Sequence, residues 1–153
     1  MEVVNINNDN IRYEDVKNTI YISKAVLYKD NKILVENKDN KIILPGDNIY
    51  LGESIIKSLQ RKLLNELGIY YDYDTLIGIL IINKFKKEYK DDEILNNKYV
   101  AYYYLGKYKD MNLDRINKLY KNSNKKYELI NINDLENSDE EISNVIKKCK
   151  KII

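Results

Sequence analysis

The stretch that decides the fold spans residues 42–69 and reads IILPGDNIYLGESIIKSLQRKLLNELGI. Its first residues predict a short strand that ends at Pro45, because proline has no backbone N–H to donate to a sheet. Four aliphatic residues then recur every four positions and predict an amphipathic helix: Ile55, Leu59, Leu63 and Leu67. Ser54 or Glu53 can cap its start, and Gly68 suits the left-handed position after its end. A loop that leads into a helix in this way is a common site for phosphate.

The composition favours one globular domain. The chain has 153 residues, of which 44% are hydrophobic and 33% are charged, as is typical of a single soluble domain. The net charge of +2 is too small to indicate nucleic-acid binding by itself. No apolar run approaches the ~18 residues of a membrane helix, and the N-terminal residues lack a signal-peptide pattern. We therefore expect a cytoplasmic protein without a membrane segment.

The chemistry available to the chain is limited by two residue counts. There is one cysteine, Cys149, and there is no histidine. These counts exclude disulfides within the chain, thiol or imidazole metal clusters, and catalysis by serine–histidine or cysteine–histidine pairs. Any catalytic site must therefore use carboxylates, lysine, tyrosine or a hard metal ion bound through oxygen.

The rest of the sequence predicts an α+β fold. Residues 1–18 are polar without a sustained period, so we expect an extended or partly ordered N-terminal arm followed by a single domain at 19–153. Before the helix, alternating apolar residues separated by short turns predict an antiparallel meander of three strands, at 19–28, 32–36 and 41–44. After it, the patterns predict strands at 75–83, 98–108 and 127–132, a short helix or an irregular arm at 113–120, and a C-terminal helix at 138–152. The inward face of that last helix is predicted to hold Ile142, Val145, Ile146 and Cys149.

Three polar or aromatic segments admit a functional and a structural interpretation. Tyr102 and Tyr104 point to one face of their strand, where they could stack a base or pack in a core or interface. The charged segment 84–98, which contains Asp92, predicts a solvated loop or hairpin tip, or else a source of metal ligands. The basic end of the last helix suits a helix C-terminus, so we expect no specific nucleic-acid binding.

The decisive stretch resembles the Nudix box, G-x5-E-x7-R-E-U-x-E-E-x-G-U, in which U is aliphatic. One ungapped alignment matches Glu53, Arg61, Leu63, Glu66, Gly68 and Ile69. Asp47 stands where the first glycine is expected, Lys62 replaces the glutamate after the arginine, and Asn65 replaces the first of the paired glutamates. The resemblance, which covers roughly 19–152, implies a Nudix-type α/β/α sandwich with a mixed sheet, the Nudix loop and helix, and a C-terminal helix.

The resemblance also implies roles for residues of this degenerate box. In the family, the residues at the positions of Glu53 and Arg61 tie the loop to the helix. Magnesium is bound mainly by glutamates at the positions of Lys62, Asn65 and Glu66, and only the last of these remains. Glu66 could instead be a surface carboxylate paired with Lys62 one helical turn earlier.

Three hypotheses about function follow. In the first, the protein hydrolyses nucleoside diphosphate-linked compounds with Mg²⁺ or Mn²⁺, weakly because two ligands are missing. Glu66 and Glu53 would then be catalytic, and Glu66, Asp47 and Asp92 would hold the metal. The second and third hypotheses involve no catalysis and need no metal cofactor.

In the second hypothesis, the protein is an inactive nucleotide-binding or sensing domain. Lys62 and Arg61 would contact the diphosphate, and Tyr102 and Tyr104 would contact the rest of the ligand. In the third, it is a structural interaction module. A homodimer through the tyrosine-rich strand or through residues 1–18 is open under each hypothesis.

Overall fold

The computed structural model describes residues 1–153, which form eight strands and four α-helices. The strands are β1 (Glu2–Ile6), β2 (Asn18–Lys29), β3 (Lys32–Lys38), β4 (Lys41–Ile43), β5 (Gly46–Asn48), β6 (Ile77–Lys90), β7 (Glu93–Lys107) and β8 (Lys125–Asn131). The helices are α1 (Ile55–Leu67), α2 (Leu113–Leu119), α3 (Ile132–Leu135) and α4 (Glu140–Ile152). None of these helices combines the length and apolarity that crossing a bilayer requires.

The strands form one mixed sheet in the order β1-β6-β7-β2-β3-β4, with β5 on β2 and β8 on β3. β1 runs parallel to β6, and β2 runs parallel to β7. The remaining pairs are antiparallel, including the predicted meander of β2, β3 and β4. β2 pairs with β3 only at Tyr28 and Lys29, next to the turn that joins them, and the two strands diverge away from that turn. Beyond this point β5 lies beside β2, and β4 lies beside β3.

Each face of the sheet carries its own apolar core, which makes the α/β/α sandwich that the sequence predicts. Helix α4 covers one face with the four residues expected to point inward: Ile142, Val145, Ile146 and Cys149. Helix α1 covers the other face with Leu59, Leu63 and Leu67, together with Ile116 of α2. Alternation along β7 serves both cores, because Tyr103 packs on the α4 side and Tyr104 on the α1 side.

Helix α1 begins and ends where the sequence predicts. The Ser54 hydroxyl accepts a hydrogen bond from the Lys57 amide, so Ser54 rather than Glu53 is the N-cap. Gly68 follows the helix with φ of 71°, a left-handed conformation that costs glycine little. The loop before α1 is partly ordered as β5, in which Gly46 approaches β2 too closely for any side chain.

The structure differs from the prediction at 84–98. The segment is not a loop, because β6 continues to Lys90 and β7 begins at Glu93. Of the predicted loop and the predicted hairpin tip, the hairpin tip is correct. Asp91 and Asp92 form the turn with φ of 50° and 63°, as in the tight turns that match strand twist. Main-chain hydrogen bonds hold the two strands of a hairpin together, so a hairpin tolerates many charged side chains. The charged residues at 84–98 interrupt the apolar alternation that would indicate strands.

The N-terminal residues also differ from the expected arm. Residues 2–6 pair with residues 80–84 as the edge strand β1, and Ile6 is 3% exposed in the α4-side core. They therefore belong to the same folded unit as residues 19–153. A parallel partner far along the chain leaves no local signal, because neither a turn nor a sequence period connects the two strands.

Candidate functional site

The matched glutamate of the box, Glu66, lies in an ion-pair cluster near the end of α1. One of its carboxylate oxygens is 3.0 Å from Lys62 Nζ, and the other is 2.5 Å from Lys125 Nζ. Lys125 Nζ is also 2.9 Å from the carboxylate of Glu36. The Tyr127 hydroxyl lies 3.0 Å from a Glu66 oxygen and 3.3 Å from a Glu36 oxygen, and its one proton is shared between these two acceptors. We call these five residues the Glu66 cluster.

Strand register explains why these side chains meet. Glu36 of β3 stands directly opposite Tyr127 of β8 in the antiparallel pair. Lys125 lies two residues before Tyr127, so both side chains point to the same face, towards α1. Lys62 and Glu66 share the facing flank of the helix because they are one turn apart. The helical pair is the Lys62–Glu66 pairing proposed from the sequence, and it is confirmed.

The cluster is half-buried and strongly charged. The Lys125 and Glu36 side chains are only 13% and 14% exposed. Burial alone would raise the pKa of Glu66, but hydrogen bonds from Lys125 and Lys62 outweigh it and lower that pKa to about 2. Burial alone would lower the pKa of Lys125, but the hydrogen bonds that its ammonium donates to Glu66 and Glu36 outweigh burial and raise that pKa. These groups are therefore ionised at neutral pH.

Lys125 occupies the kind of environment that a small cation prefers. Its ammonium lies between the carboxylates of Glu36 and Glu66. It is also 4.6 Å from the ring centroid of Tyr120 and 5.2 Å from that of Tyr127, within the range of cation–π attraction. The side-chain ammonium therefore fills the position between these acids.

The residues present do not fit a divalent metal ion. Magnesium needs several free oxygen ligands in an octahedron, whereas both oxygens of Glu66 already accept hydrogen bonds from ammonium groups. Two ammonium charges at this distance would repel an incoming dication by several kcal/mol at an effective dielectric near 20. Nowhere in the chain do three or more acidic or cysteine side chains lie together as metal ligands.

A second polar group ties the loop to the helix. Arg61 Nε is 2.7 Å from the Glu53 carboxylate, and its guanidinium is 3.2 Å from that of Asp47. The guanidinium also lies 4.0 Å from the ring centroid of Tyr50, whose amide donates to Glu53 at 2.9 Å. Glu53 and Arg61 thus make the structural contact that the resemblance implies. The catalytic role of Glu53 stays a prediction.

The structure does not bring the three predicted metal ligands together. Asp47 lies near α1 but is held by Arg61 and by the Asn48 amide. Asp92 lies at the tip of the β6–β7 hairpin. In the sheet, Asp47 of β5 pairs with Ser23 of β2, and Ser23 pairs with Tyr102 of β7. Asp92 lies ten residues before Tyr102 along the chain, which is roughly 30 Å at the rise of a strand. Asp92 is therefore not a neighbour of Glu66.

The two tyrosines predicted to contact a ligand face the α1-side core. Tyr104 is 9% exposed inside that core, so its ring is largely buried. Tyr102 is half-buried and packs against the same core. The packing of Tyr104 favours the structural interpretation of these residues.

Sequence reasoning missed three residues of the cluster: Glu36, Lys125 and Tyr127. The strands predicted at 32–36 and 127–132 contain Glu36 and Tyr127 but leave out Lys125, because β8 begins two residues before the predicted start. The register that sets Glu36 opposite Tyr127 was not readable, because these strands are joined by a long intervening chain. No local pattern indicates that this pair of strands faces Glu66.

By sequence, no family profile and no curated protein matches the chain. By structure, it is similar to a MutT Nudix hydrolase from Burkholderia pseudomallei, with 14% identity, a TM-score of 0.62, and coverage of 86% of this chain and 98% of that one. The MutT protein from Bacillus halodurans gives 16% identity, a TM-score of 0.61, and coverage of 84% and 80%. The Nudix domain of Shewanella oneidensis NrtR, solved with ADP ribose, gives 17%, 0.56, and coverage of 93% of each chain.

The sheet, the two helices that cover it and the loop before α1 agree with the similarity to these structures. A mixed sheet lies between α1 and α4, and the loop before α1 is tied to the helix by Glu53 and Arg61. At sequence identities of 14–17%, the structural similarity shows a shared fold and does not show a shared activity. The chain therefore has the Nudix fold.

Proposed function

We propose that the protein is a metal-independent binding domain for a nucleoside diphosphate derivative. One observation carries the proposal: the ammonium groups of Lys62 and Lys125 both contact Glu66, the remaining metal-ligand position of the box. Side-chain cations therefore stand where metal ions would be needed. The two lysine contacts favour the second hypothesis, a binding domain, over metal-assisted hydrolysis with Mg²⁺ or Mn²⁺.

The charge balance of the cluster supports phosphate binding without metal. Lys62 and Lys125 neutralise Glu36 and Glu66, so an approaching diphosphate meets no net negative charge. A site built from several unpaired glutamates would repel the same anion unless metal ions were bound. An ammonium group can also contact phosphate directly as a point charge. The Lys62 side chain is 22% exposed and the Lys125 side chain is 13% exposed, so both lysines border the solvent.

The ligand class is supported by one structural neighbour. The NrtR Nudix domain was solved with ADP ribose, which is a nucleoside diphosphate joined to a second sugar. That neighbour has the same fold at low identity, so it indicates a class of ligand to test. ADP ribose is therefore the first probe.

Calorimetric titration with ADP ribose tests the proposal. We expect equal affinity in EDTA and in MgCl₂ or MnCl₂, with no product formed. Affinity or turnover that appears only with the metal would overturn the proposal and restore the hydrolase hypothesis. No binding of ADP ribose or of other nucleoside diphosphate compounds under any condition would favour the interaction-module hypothesis.

Matched lysine substitutions locate the binding. Lys62→Met and Lys125→Met should each weaken ADP ribose binding by at least about tenfold, which corresponds to the loss of one charged contact. Lys57→Met is the control, because Lys57 is exposed on the same helix and its side chain makes no ion pair. Unchanged affinity in both cluster variants, with folding verified by circular dichroism, would place the ligand elsewhere.

A further inference from the structure

The two edges of the sheet differ in how their backbone is covered. One edge is β8, whose only strand partner is β3. There the Asn117 side chain of α2 accepts a hydrogen bond from the Tyr127 amide at 2.7 Å and donates one to the Tyr127 carbonyl at 2.9 Å. The other edge is β1, which pairs with β6 alone. On its outer side, the backbone of residues 2–6 makes no hydrogen bond.

The sequence of β1 does not prevent another strand from pairing with this edge. Edge strands of soluble proteins are commonly protected by lysine, by proline or by a bulge. Strand β1 reads EVVNI, with its single charge at the first residue, Glu2. Its register with β6 is continuous and contains no bulge. The outward N–H and C=O groups of β1 are therefore available to a further strand.

Helix α4 carries charges beside this edge. It packs over β6, the neighbour of β1. Near its start, the exposed Glu140 accepts a hydrogen bond from Asn8 at 3.1 Å. Near its end, Lys148 Nζ lies 3.0 Å from the Glu2 carboxylate, and Lys148 and, to a smaller extent, Lys151 lower the pKa of Glu2. The helix therefore runs opposite to β1, with an acidic and a basic end beside it.

This order of charges is complementary to itself. A two-fold axis repeats the same contact in both directions, and it sets the acidic end of one α4 against the basic end of the other. An antiparallel pair of β1 strands centred on Val4 places Glu140 of one copy across from Lys148 of the other. Within its own chain, the Glu140 carboxylate contacts the Asn8 side chain and no cation. It is therefore free to form an ion pair with a second copy.

The spacing of strands brings the two α4 helices within reach of each other. Neighbouring strands lie ~4.8 Å apart, so the steps from β6 through both β1 strands to the second β6 separate the helix axes by about 14 Å. The Cα atoms of a helix lie about 2.3 Å from its axis, which leaves about 9 Å between the facing backbones. A lysine and a glutamate side chain together span this gap.

We infer that the protein forms a two-fold homodimer in which the β1 strands of two copies pair antiparallel and join their sheets. The strands supply main-chain hydrogen bonds, and the helices supply the Glu140–Lys148 ion pair twice. A second copy suits this edge better than an unrelated peptide does, because it brings its own α4 charges in the matching order. The inference does not depend on the proposed function, since β6, β7 and β2 separate β1 from the Glu66 cluster.

Analytical ultracentrifugation tests the inference. We expect a monomer–dimer equilibrium with a Kd of about 10 μM or tighter. Hydrogen exchange should show slower exchange of the outward amides of β1 in the dimer than in the dilute monomer, because these amides become hydrogen-bonded. A protein that stays monomeric at about 100 μM would overturn the inference, whatever its affinity for ADP ribose.

Charge reversal at α4 locates the interface. Glu140→Lys and Lys148→Glu should each weaken self-association by at least about tenfold, because like charges then face each other at both symmetric contacts. An equimolar mixture of the two variants should recover the affinity, since both contacts of the mixed dimer again pair a lysine with a glutamate. This recovery distinguishes a broken interface from a misfolded protein.

Lys57→Glu is the matched control. It makes the same charge change as Lys148→Glu, but at an exposed position of α1, and it should dimerise like the wild type. Wild-type self-association in both Glu140→Lys and Lys148→Glu would contradict the assigned interface. A mixture of these two variants that stays monomeric would contradict it as well.

Discussion

The ammonium of Lys125 lies 2.5 Å from the carboxylate of Glu66, although 59 residues separate them in the chain. This contact joins the last turn of α1 to strand β8. It also places a fixed positive charge at the one metal-ligand position of the box that is still a glutamate. The same pair therefore links two distant elements of the domain at the site where we propose that the ligand binds.

Lys125→Met should destabilise the protein by about 2 kcal/mol. The change leaves Glu66 and Glu36 without their shared cation, and breaking a fully buried pair costs about 3–5 kcal/mol, whereas this one is partly exposed. Urea unfolding measures the effect. Lys126→Met is the control, since Lys126 is exposed, and it should change stability by less than about 0.5 kcal/mol.

A double-mutant cycle with Glu66→Gln separates the pair from each residue. The two changes together should cost about 1 kcal/mol less than the sum of the single changes, as found for residues in contact. Strict additivity would show that the Lys125–Glu66 contact contributes nothing to stability.

The free energy of unfolding should decrease as the pH is lowered, because Glu66 becomes protonated. The folded-state pKa of Glu66, about 2, lies below its ordinary value of 4.5. Its contribution is therefore complete above pH 4.5 and is lost as pH falls towards 2. In urea unfolding across this range, Glu66→Gln should show a shallower decline than the wild type. Glu128→Gln should decline like the wild type, because Glu128 makes no ion pair; an equally steep decline in Glu66→Gln would refute the assignment.

Restoring acids to the box should create a metal site. Lys62→Glu and Asn65→Glu, combined with Lys125→Met, would put three carboxylates on one flank of α1 and remove both ammonium groups from Glu66. We expect this triple variant to bind Mn²⁺ with a Kd of about 1 mM or tighter, measured by electron paramagnetic resonance. Adding Glu66→Gln should abolish that binding. A folded triple variant without Mn²⁺ affinity would mean that the alignment or the ligand geometry is wrong.

The N-terminal strand offers a matched pair of substitutions. Ile6 is 3% exposed in the α4-side core, whereas Val3 of the same strand is 52% exposed. Ile6→Ala should cost about 2–4 kcal/mol through lost burial and the cavity it leaves, and Val3→Ala should cost less than about 0.5 kcal/mol. Thermal unfolding compares them. Similar small effects would show that β1 contributes little to the folded sheet.

Features encoded within one element were predictable from the sequence. The spacing of Leu59, Leu63 and Leu67 predicted the buried face of α1, and Ser54 and Gly68 predicted its ends. The same reasoning found the inward residues of α4 and the Lys62–Glu66 pair, since helix geometry places residues four apart side by side. The outer part of the β6–β7 hairpin was not predicted, because charged residues there interrupt the apolar alternation by which strands are recognised.

By itself, the sequence determined helices α1 and α4 and the meander that precedes α1, which face of α1 is apolar, and that Glu53 and Arg61 can tie the loop to that helix. Only the tertiary structure decided that β1 joins the sheet, that Tyr104 is covered, and that Lys125 reaches Glu66. Periodicity reports which side of an element is buried, because that depends on backbone geometry alone. It carries no information about which distant element lies opposite, because that depends on strand order and register across the whole sheet.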